Sequence, residues 1–210
     1  MTIEGFLEKT LGNDIGGHDL AHAHRVLAFV RVIQTKEGGD LSYVEGCALL
    51  HDCLDSKLGL DTEKQEGHVY DCLLENGYEA SAAKAMIRTM KRMSFHLHDE
   101  SDLTLEDKIV RDADRLDALG KIGAERALAY GKAKGRPLFS ELNLKEIQQG
   151  LPPTGESTVA HFFDKLLILD RYLYTDTAKA MAVPLKKELM DSLCDIFASV
   201  GLTFDERILP

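Results

Sequence analysis

Cysteine is scarce in this chain of 210 residues. There are four, Cys47, Cys53, Cys72 and Cys194, and none forms a Cys-x-x-Cys pair. That spacing excludes a disulfide framework, and three of the four fall inside apolar helical runs, as reduced core thiols of a cytoplasmic protein do. Long hydrophobic runs are also missing. No stretch approaches the roughly 20 apolar residues a membrane-spanning helix requires, and residues 1–12 show no basic start followed by a long apolar run. Positive charge is in deficit: 25 Lys plus Arg stand against 35 Asp plus Glu, a net charge of −10. Broad binding to duplex nucleic acid needs a basic face, so that class is excluded too. A small anionic ligand is not, because local charge decides its fate. There is no internal repeat and no low-complexity segment. The length fits one sizeable domain, and 44% hydrophobic with 29% charged residues is ordinary for a globular protein.

What the sequence does carry is helical periodicity broken by turn residues. Helices are predicted over about 3–11, 18–35, 42–54, 61–75, 79–93, 105–117 and 156–173, with a short one ending at Pro152-Pro153 and a last one from about 175. Ser42 with Glu45 reads as a capping box, and Thr104 with Asp107 as a cap. Gly77 suits a helix C-terminus. Residues 94–102 form a polar loop bearing His96 and His98. Gly120, Gly123 and Gly131 allow helices or a ligand to approach closely. The stretch 132–137, Lys-Ala-Lys-Gly-Arg-Pro, is a basic loop, either a flap over a substrate or a surface turn. Pro184 falls inside the last helix, where proline costs about 3 kcal/mol and breaks or kinks the helix; that leaves the packing of the tail, and any dimer contact it makes, open.

The chemistry gathers at His51-Asp52, within Gly46-Cys47-Ala48-Leu49-Leu50-His51-Asp52-Cys53-Leu54-Asp55-Ser56-Lys57. Adjacent imidazole and carboxylate can chelate one ion if the backbone turns them the same way, as a helix end followed by a turn does. Val44, Cys47, Ala48 and His51 share helical spacing, so His51 faces inward. Upstream runs Gly17-His18-Asp19-Leu20-Ala21-His22-Ala23-His24-Arg25-Val26. At about 100° per residue Val26, Phe29 and Ile33 lie within about 40° of His22, whereas His24 is about 160° away from it. His22 therefore points inward and His24 outward; His18 sits one turn before His22. Downstream, Asp112-Ala113-Asp114-Arg115-Leu116-Asp117 follows the core-facing Ile109 and Val110. Asp114 falls about 40° from Val110 and Asp112 is turned well away. An inward carboxylate without a partner costs several kcal/mol, a cost that a metal, with His22 or Arg115 nearby, removes. Two nitrogens and two oxygens suit Mn, Fe, Co, Ni or Zn better than Ca.

Cations are also grouped. Lys84, Arg88, Lys91 and Arg92 recur at helical offsets and so share a face, a local inversion of sign that could steer a polyphosphate; a solvated face is the alternative. Lys57 could hold a phosphate, and Arg115 could reach one or pair with an acid in the core.

The order His, His-Asp, Asp on predicted helices resembles the HD-domain superfamily of metal-dependent phosphohydrolases, over about residues 15–180. It is most similar to a bacterial branch, that of the nucleotide (dNTP) pyrophosphohydrolases. There the first helix reads like His-Asp-x-x-His-x-x-Arg-Val, and a later one like Asp-Ala-Asp-Arg-Leu-Asp-Ala-hydrophobic-Gly, present here at 112–120. The resemblance implies an all-α HD-domain bundle with C-terminal helices packed on the core. It would be one domain over 1–210, with a metal-binding core at about 15–135 and a C-terminal helical part at about 140–210. It picks His22, His51, Asp52 and Asp114 as ligands of one divalent ion per chain (Mn, Co, Ni, Fe or Mg), with Asp117 orienting a ligand. Alarmone hydrolases of the superfamily place an acid at the Asp55 position, beside the attacking water. His161-Phe162-Phe163-Asp164-Lys165-Leu166 is similar to a C-terminal motif of the branch, which makes Lys165 a phosphate contact or a packing residue. The implied catalytic set is Asp52, Asp55 and Lys57; the implied substrate contacts are Lys57, Arg88, Lys91, Arg115 and Lys165.

The activity this implies is hydrolysis of a phosphate ester or anhydride in a nucleotide by a metal-activated water. Similar bacterial members cleave nucleoside triphosphates to monophosphate and pyrophosphate. Two alternatives stay open. Some superfamily members are di-iron oxygenases with two extra histidines before the last Asp, and His68, His96 and His98 lie in that interval; the polar surroundings of the last two favour one metal. A non-catalytic nucleotide sensor is the other. The Gly-Tyr-Pro signature of cyclic-dinucleotide phosphodiesterases is absent. The partners expected are a small phosphorylated molecule, with neither duplex nucleic acid nor membrane, and a homodimer as an open alternative.

Overall fold

Apolar residues at helical spacing account for the architecture seen in a computed structural model of the chain, which describes residues 1–11, 19–54, 61–93 and 101–210. Every regular element among the described residues is helical, so the fold is all-α. The helices are α1 (Ile3–Leu11), α2 (Leu20–Glu37), α3 (Leu41–Leu50), α4 (Thr62–Glu75), α5 (Ala80–Lys91), α6 (Leu105–Asp117), α7 (Gly120–Ala133), α8 (Glu141–Gln148), α9 (Thr158–Asp164) and α10 (Asp176–Ser199). Short 3-10 turns cover His51–Leu54, Leu166–Tyr172 and Glu206–Ile208. None of the described helices is long and apolar enough to cross a membrane.

The chain divides into two compact units, Met1–Asp114 and Arg115–Pro210. In the first, α3 is central: α2, α5 and α1 pack against it, and α4 packs on α5. Its core is built from Val26, Val30 and Ile33 of α2, Val44, Cys47 and Ala48 of α3, and Met86 of α5, all shut off from solvent. In the second, α10 packs along α7 and against the 3-10 turn Leu166–Tyr172, and α9 contacts α7. Phe197 lies edge-on to Phe139 and Phe204, with ring centres 5.2 and 5.1 Å away. Cys47, Cys53 and Cys72 are buried, Cys194 is exposed and all four are free; burial pushes the Cys47 and Cys53 thiols up from their ordinary range.

Asp caps start the helices of the first unit. Asp19, Asp40 and Asp61 each accept from the backbone N–H three residues on, satisfying a donor the helix itself cannot. The cap of α3 is thus Asp40, not Ser42; Glu45 instead accepts from Arg31 of α2 at 2.6 Å. Thr104 and Asp107 form the expected reciprocal cap of α6 (3.0 and 3.2 Å). At the end of α4, Gly77 (φ +87°) lets Tyr78 N–H reach Leu73 O and Gly77 N–H reach Leu74 O, the pattern of a glycine-terminated helix.

Two expectations about the second unit are corrected. The helix predicted over 156–173 breaks at Lys165 (φ −135°, ψ −63°) into α9 and a 3-10 turn. Pro184 does not end α10, which runs on to Ser199. Pro184 and Ala180, the residue whose carbonyl loses its helical donor, are both exposed, so water can satisfy that carbonyl.

The small residues of α7 mark close contacts. A Cβ on Gly131 would fall 2.1 Å from Thr158 Oγ1 of α9, and one on Gly123 would fall 2.1 Å from the Ala118 carbonyl oxygen. A backbone oxygen cannot swing aside as a side chain can. Gly123→Ala is therefore expected to lower stability by about 1–3 kcal/mol, the range for overpacked sites, seen as a lower urea midpoint at unchanged slope. An unmoved midpoint would show that the turn before α7 yields without cost.

Candidate metal centre

Asp19 fixes the start of α2 by accepting from His22 N–H at 2.7 Å, and the apolar stripe of the helix carries the His22 side chain inward, where it is buried. His24 is exposed beside Glu4, as its angle predicts. His51 ends α3 with helical backbone angles and opens the 3-10 turn His51–Leu54, which packs against α1, α4 and α5. Adjacent residues there stand about 120° apart around the axis, and the Asp52 side chain reaches back across that angle to within 3.3 Å of His51 Nε2. Asp114 arrives from α6. The angular argument for it is corrected in one respect. Asp112, expected to face away, is wholly buried, whereas the Asp114 side chain is 33% exposed. Helix α6 is enclosed around most of its girth, with Arg111, Asp112, Ala113, Arg115, Leu116 and Asp117 all buried, so its apolar stripe alone does not tell inside from outside.

The four side chains nevertheless meet. His22 Nε2 and His51 Nε2 are 3.2 Å apart, with rings edge-on at 5.1 Å between centres. Asp52 sets one oxygen 3.3 Å from His22 Nε2 and the other 3.3 Å from His51 Nε2. Asp114 Oδ1 is 3.4 Å from His22 Nε2 and 3.7 Å from His51 Nε2. Among the described residues, His22, His51 and Asp114 offer ligand atoms all within 4.8 Å of one another. Donors bound at about 2.0–2.2 Å to one ion sit about 3.0 Å apart at adjacent corners of an octahedron and about 3.4 Å apart in a tetrahedron. The observed spacings match that scale. His51 Nδ1 lies 2.8 Å from Ala48 O; a carbonyl only accepts, so Nδ1 carries the proton and, in the neutral ring, Nε2 presents a lone pair. Such an outer hydrogen bond is what orients a metal-binding imidazole. The donor chemistry and spacing therefore fit a divalent cation. His22, His51 and Asp52 are buried while Asp114 is partly exposed, so the cluster meets solvent on the Asp114 side.

Other residues singled out by sequence fall elsewhere. Asp55 and Lys57 lie outside the described residues, as do His18, His96 and His98. His68 is exposed on α4, outside the donor group. Lys84, Arg88 and Lys91 are exposed on α5; Lys91 pairs with Glu66 at 2.7 Å, and Arg92 donates to Ser101 O. Arg115, Asp117 and Lys165 belong to the second unit. There the Arg115 guanidinium donates to Tyr172 O and lies 5.1 Å from the Tyr174 ring centre, and Asp117 accepts from Arg126 at 2.6 Å. The basic 132–137 stretch is in that unit too, with Lys134 and Arg136 flanking the Tyr130 ring. A cavity of about 500 Å³ in the second unit, lined by Leu167, Asp170, Val183 and Lys186 among others, holds none of the donors. Sequence reasoning passed over Asp19, although an Asp directly before the first helical residue and three before His22 is the usual mark of a cap.

Comparison with known proteins bears on the family and the fold. Residues 19–119 match the family model of the HD domain. The uncharacterised protein YpgQ of Bacillus subtilis is 36% identical over 183 residues, 86% of this chain and 83% of its own length. A crystal structure of YpgQ in complex with ADP superposes with a TM-score of 0.75 at 31% identity, covering 95% of this chain and 96% of that one. An HD-superfamily hydrolase from Bacillus thuringiensis does so with a TM-score of 0.71 at 32% identity, covering 95% and 96%.

The cap on α2 can be tested alone. Asp19→Ala is expected to destabilise the protein by about 1 kcal/mol, and Asp19→Ser by less, since a serine hydroxyl also accepts at this position. Equal urea midpoints for wild type and Asp19→Ala would remove the cap from the account of how His22 is placed.

Proposed function

The chain belongs to the HD-domain family of metal-dependent phosphohydrolases, and from that premise we propose that its substrate is a nucleotide, cleaved at a phosphate anhydride to leave a nucleoside monophosphate and pyrophosphate. The observation that carries this reading is the meeting of two imidazole nitrogens and two carboxylates at ligand spacing, with Asp114 on the solvent side. The ADP complex of YpgQ supports a nucleotide over other phosphate esters. His22, His51, Asp52 and Asp114 would hold one divalent ion per chain. The chemistry such an ion supplies is polarisation of a phosphoryl oxygen and a lowered pKa for water.

The chain's own groups do the rest. Ala48 O keeps the His51 proton on Nδ1, so the ring offers its other nitrogen to the ion. Asp52 touches both imidazoles and fixes their mutual orientation. Asp55, by its likeness to the acid of alarmone hydrolases, would orient the attacking water and take its proton. Lys57, with Arg88 and Lys91 of α5, would neutralise phosphate charge. The proposed setting is the cytoplasm, a compartment that keeps thiols reduced.

His51→Ala and Asp114→Asn are expected to lose bound Mn²⁺ and hydrolysis together, each by more than the roughly 10–100-fold that removal of an outer partner costs. Metal analysis and release of phosphate and pyrophosphate over a nucleotide panel with Mn, Mg, Co and Ni measure this. A folded His51→Ala protein with full activity and no metal would defeat the reading. Metal without turnover of any nucleotide would favour a sensor, and two irons per chain an oxygenase.

A further inference from the structure

A largely buried polar chain in the first unit ties α3 and α6, which carry two of the donor-bearing positions, to α5. Asp107, buried on α6, uses Oδ2 to accept from Thr104 N–H at 3.0 Å and Oδ1 to accept from the buried hydroxyl of Thr89 on α5. Tyr43 Oη, on α3, is 2.9 Å from Thr89 Oγ1. A carboxylate only accepts, so Thr89 gives its single proton to Asp107 and must accept from Tyr43. Burial pushes the Tyr43 phenol up to about 12, which keeps that proton in place near neutrality. Ala85 O, at 3.3 Å from Thr89 Oγ1, competes for the same proton from farther away than the Asp107 carboxylate. The chain therefore has one direction: Tyr43 to Thr89 to Asp107.

Its position gives it a consequence. Asp107 precedes Asp114 by seven residues, two turns of α6, about 10 Å along the axis and within about 20° of the same face. Tyr43 precedes His51 on α3 by eight residues. A bond that stops α6 from sliding or rotating against α3 and α5 therefore also sets where the Asp114 carboxylate meets the histidines. A one-residue turn of α6 would carry Asp114 about 100° away, so any looseness there is felt at the donor cluster.

We propose that Tyr43, Thr89 and Asp107 are positioning residues that hold the Asp114 carboxylate against His22 and His51, and so set the affinity of the chain for its divalent ion. The inference rests on the metal reading above. Mn²⁺ affinity of the full chain is measured by calorimetric titration well below the thermal midpoint. Thr89→Val, which keeps shape and removes the hydroxyl, should weaken Mn²⁺ binding about tenfold or more, and Thr89→Ser should restore it. Tyr43→Phe, which leaves the α6 cap intact, should weaken it in the same direction but less, and serves if Thr89→Val does not fold. The decisive readout is coupling. In an Asp114→Glu background, which keeps a carboxylate ligand but sets it at a different reach, Thr89→Val should cost clearly less Mn²⁺ affinity than in wild type, because the geometry it holds is already altered. A drop in thermal midpoint with unchanged Mn²⁺ affinity, or an equal loss of affinity in both backgrounds, would make the network purely structural and overturn the proposal. Failure of the wild type to bind Mn²⁺, Co²⁺ or Ni²⁺ would instead sink the metal reading, and this inference with it.

Discussion

Two carboxylates share one pair of imidazole nitrogens in the interior of the N-terminal unit, and the local structure is arranged around that crowding. Asp52 and Asp114 both approach His22 and His51 within 3.7 Å, and three of the four side chains are buried. Like charges so close repel strongly where the dielectric is low, and each carries its own cost of leaving water. Hydrophobic packing cannot offset that arrangement in kind, since it supplies no charge. A divalent cation can, because it attracts every donor at once. The cluster is thus more economically explained as a binding site than as a set of core residues that happen to touch.

Holding such a set demands backbone control at each entry. The 3-10 turn that starts at His51 sets the course of the chain as it leaves α3, and the Asp52 side chain reaches back to His51 from there. His22 is placed by a cap three residues earlier, and α6 by a reciprocal cap that shares Asp107 with a buried hydroxyl. These devices are short-range and cheap in sequence. Each needs one or two polar residues at a helix start, which is why a long-range convergence can be encoded by local signals.

Legibility followed the same division. The inward turn of His22 and the outward turn of His24 were readable, because α2 has one covered face and one wet face. The end of α4 at Gly77 was readable from a single residue with a strong backbone preference. The burial of Asp112 was not, because α6 is enclosed on nearly all sides and an enclosed helix has no wet face for periodicity to find. Ser42 and Glu45 looked like a cap by spacing, yet Asp40 had the better geometry and Glu45 was drawn to Arg31 across the helix pair. The break at Lys165 had no glycine or proline to announce it, and Pro184, which did announce one, sits where water can take the donor's place. The rule that proline interrupts helices weighs a lost hydrogen bond; it says little about a site where that bond is replaced.

Charge arithmetic explains why the donor cluster cannot be the whole of substrate recognition on the proposed reading. Two carboxylates cancel a divalent ion, and neutral imidazoles add nothing, so the loaded centre carries no net charge to draw a polyphosphate into a chain of net charge −10. At physiological ionic strength that overall charge is screened beyond about 8 Å. What a nucleotide meets on approach is therefore set by the side chains within a screening length of the open side, and the final contact by the ion's free positions. The exposed cations of α5 matter in this picture as a local exception to an acidic surface. Their spacing on one helix face lets them act jointly, although Lys91 already pairs with Glu66 and part of its charge is met there. On that reading the ion and the cations of α5 share the phosphate between them, the cations acting on approach and the ion at contact.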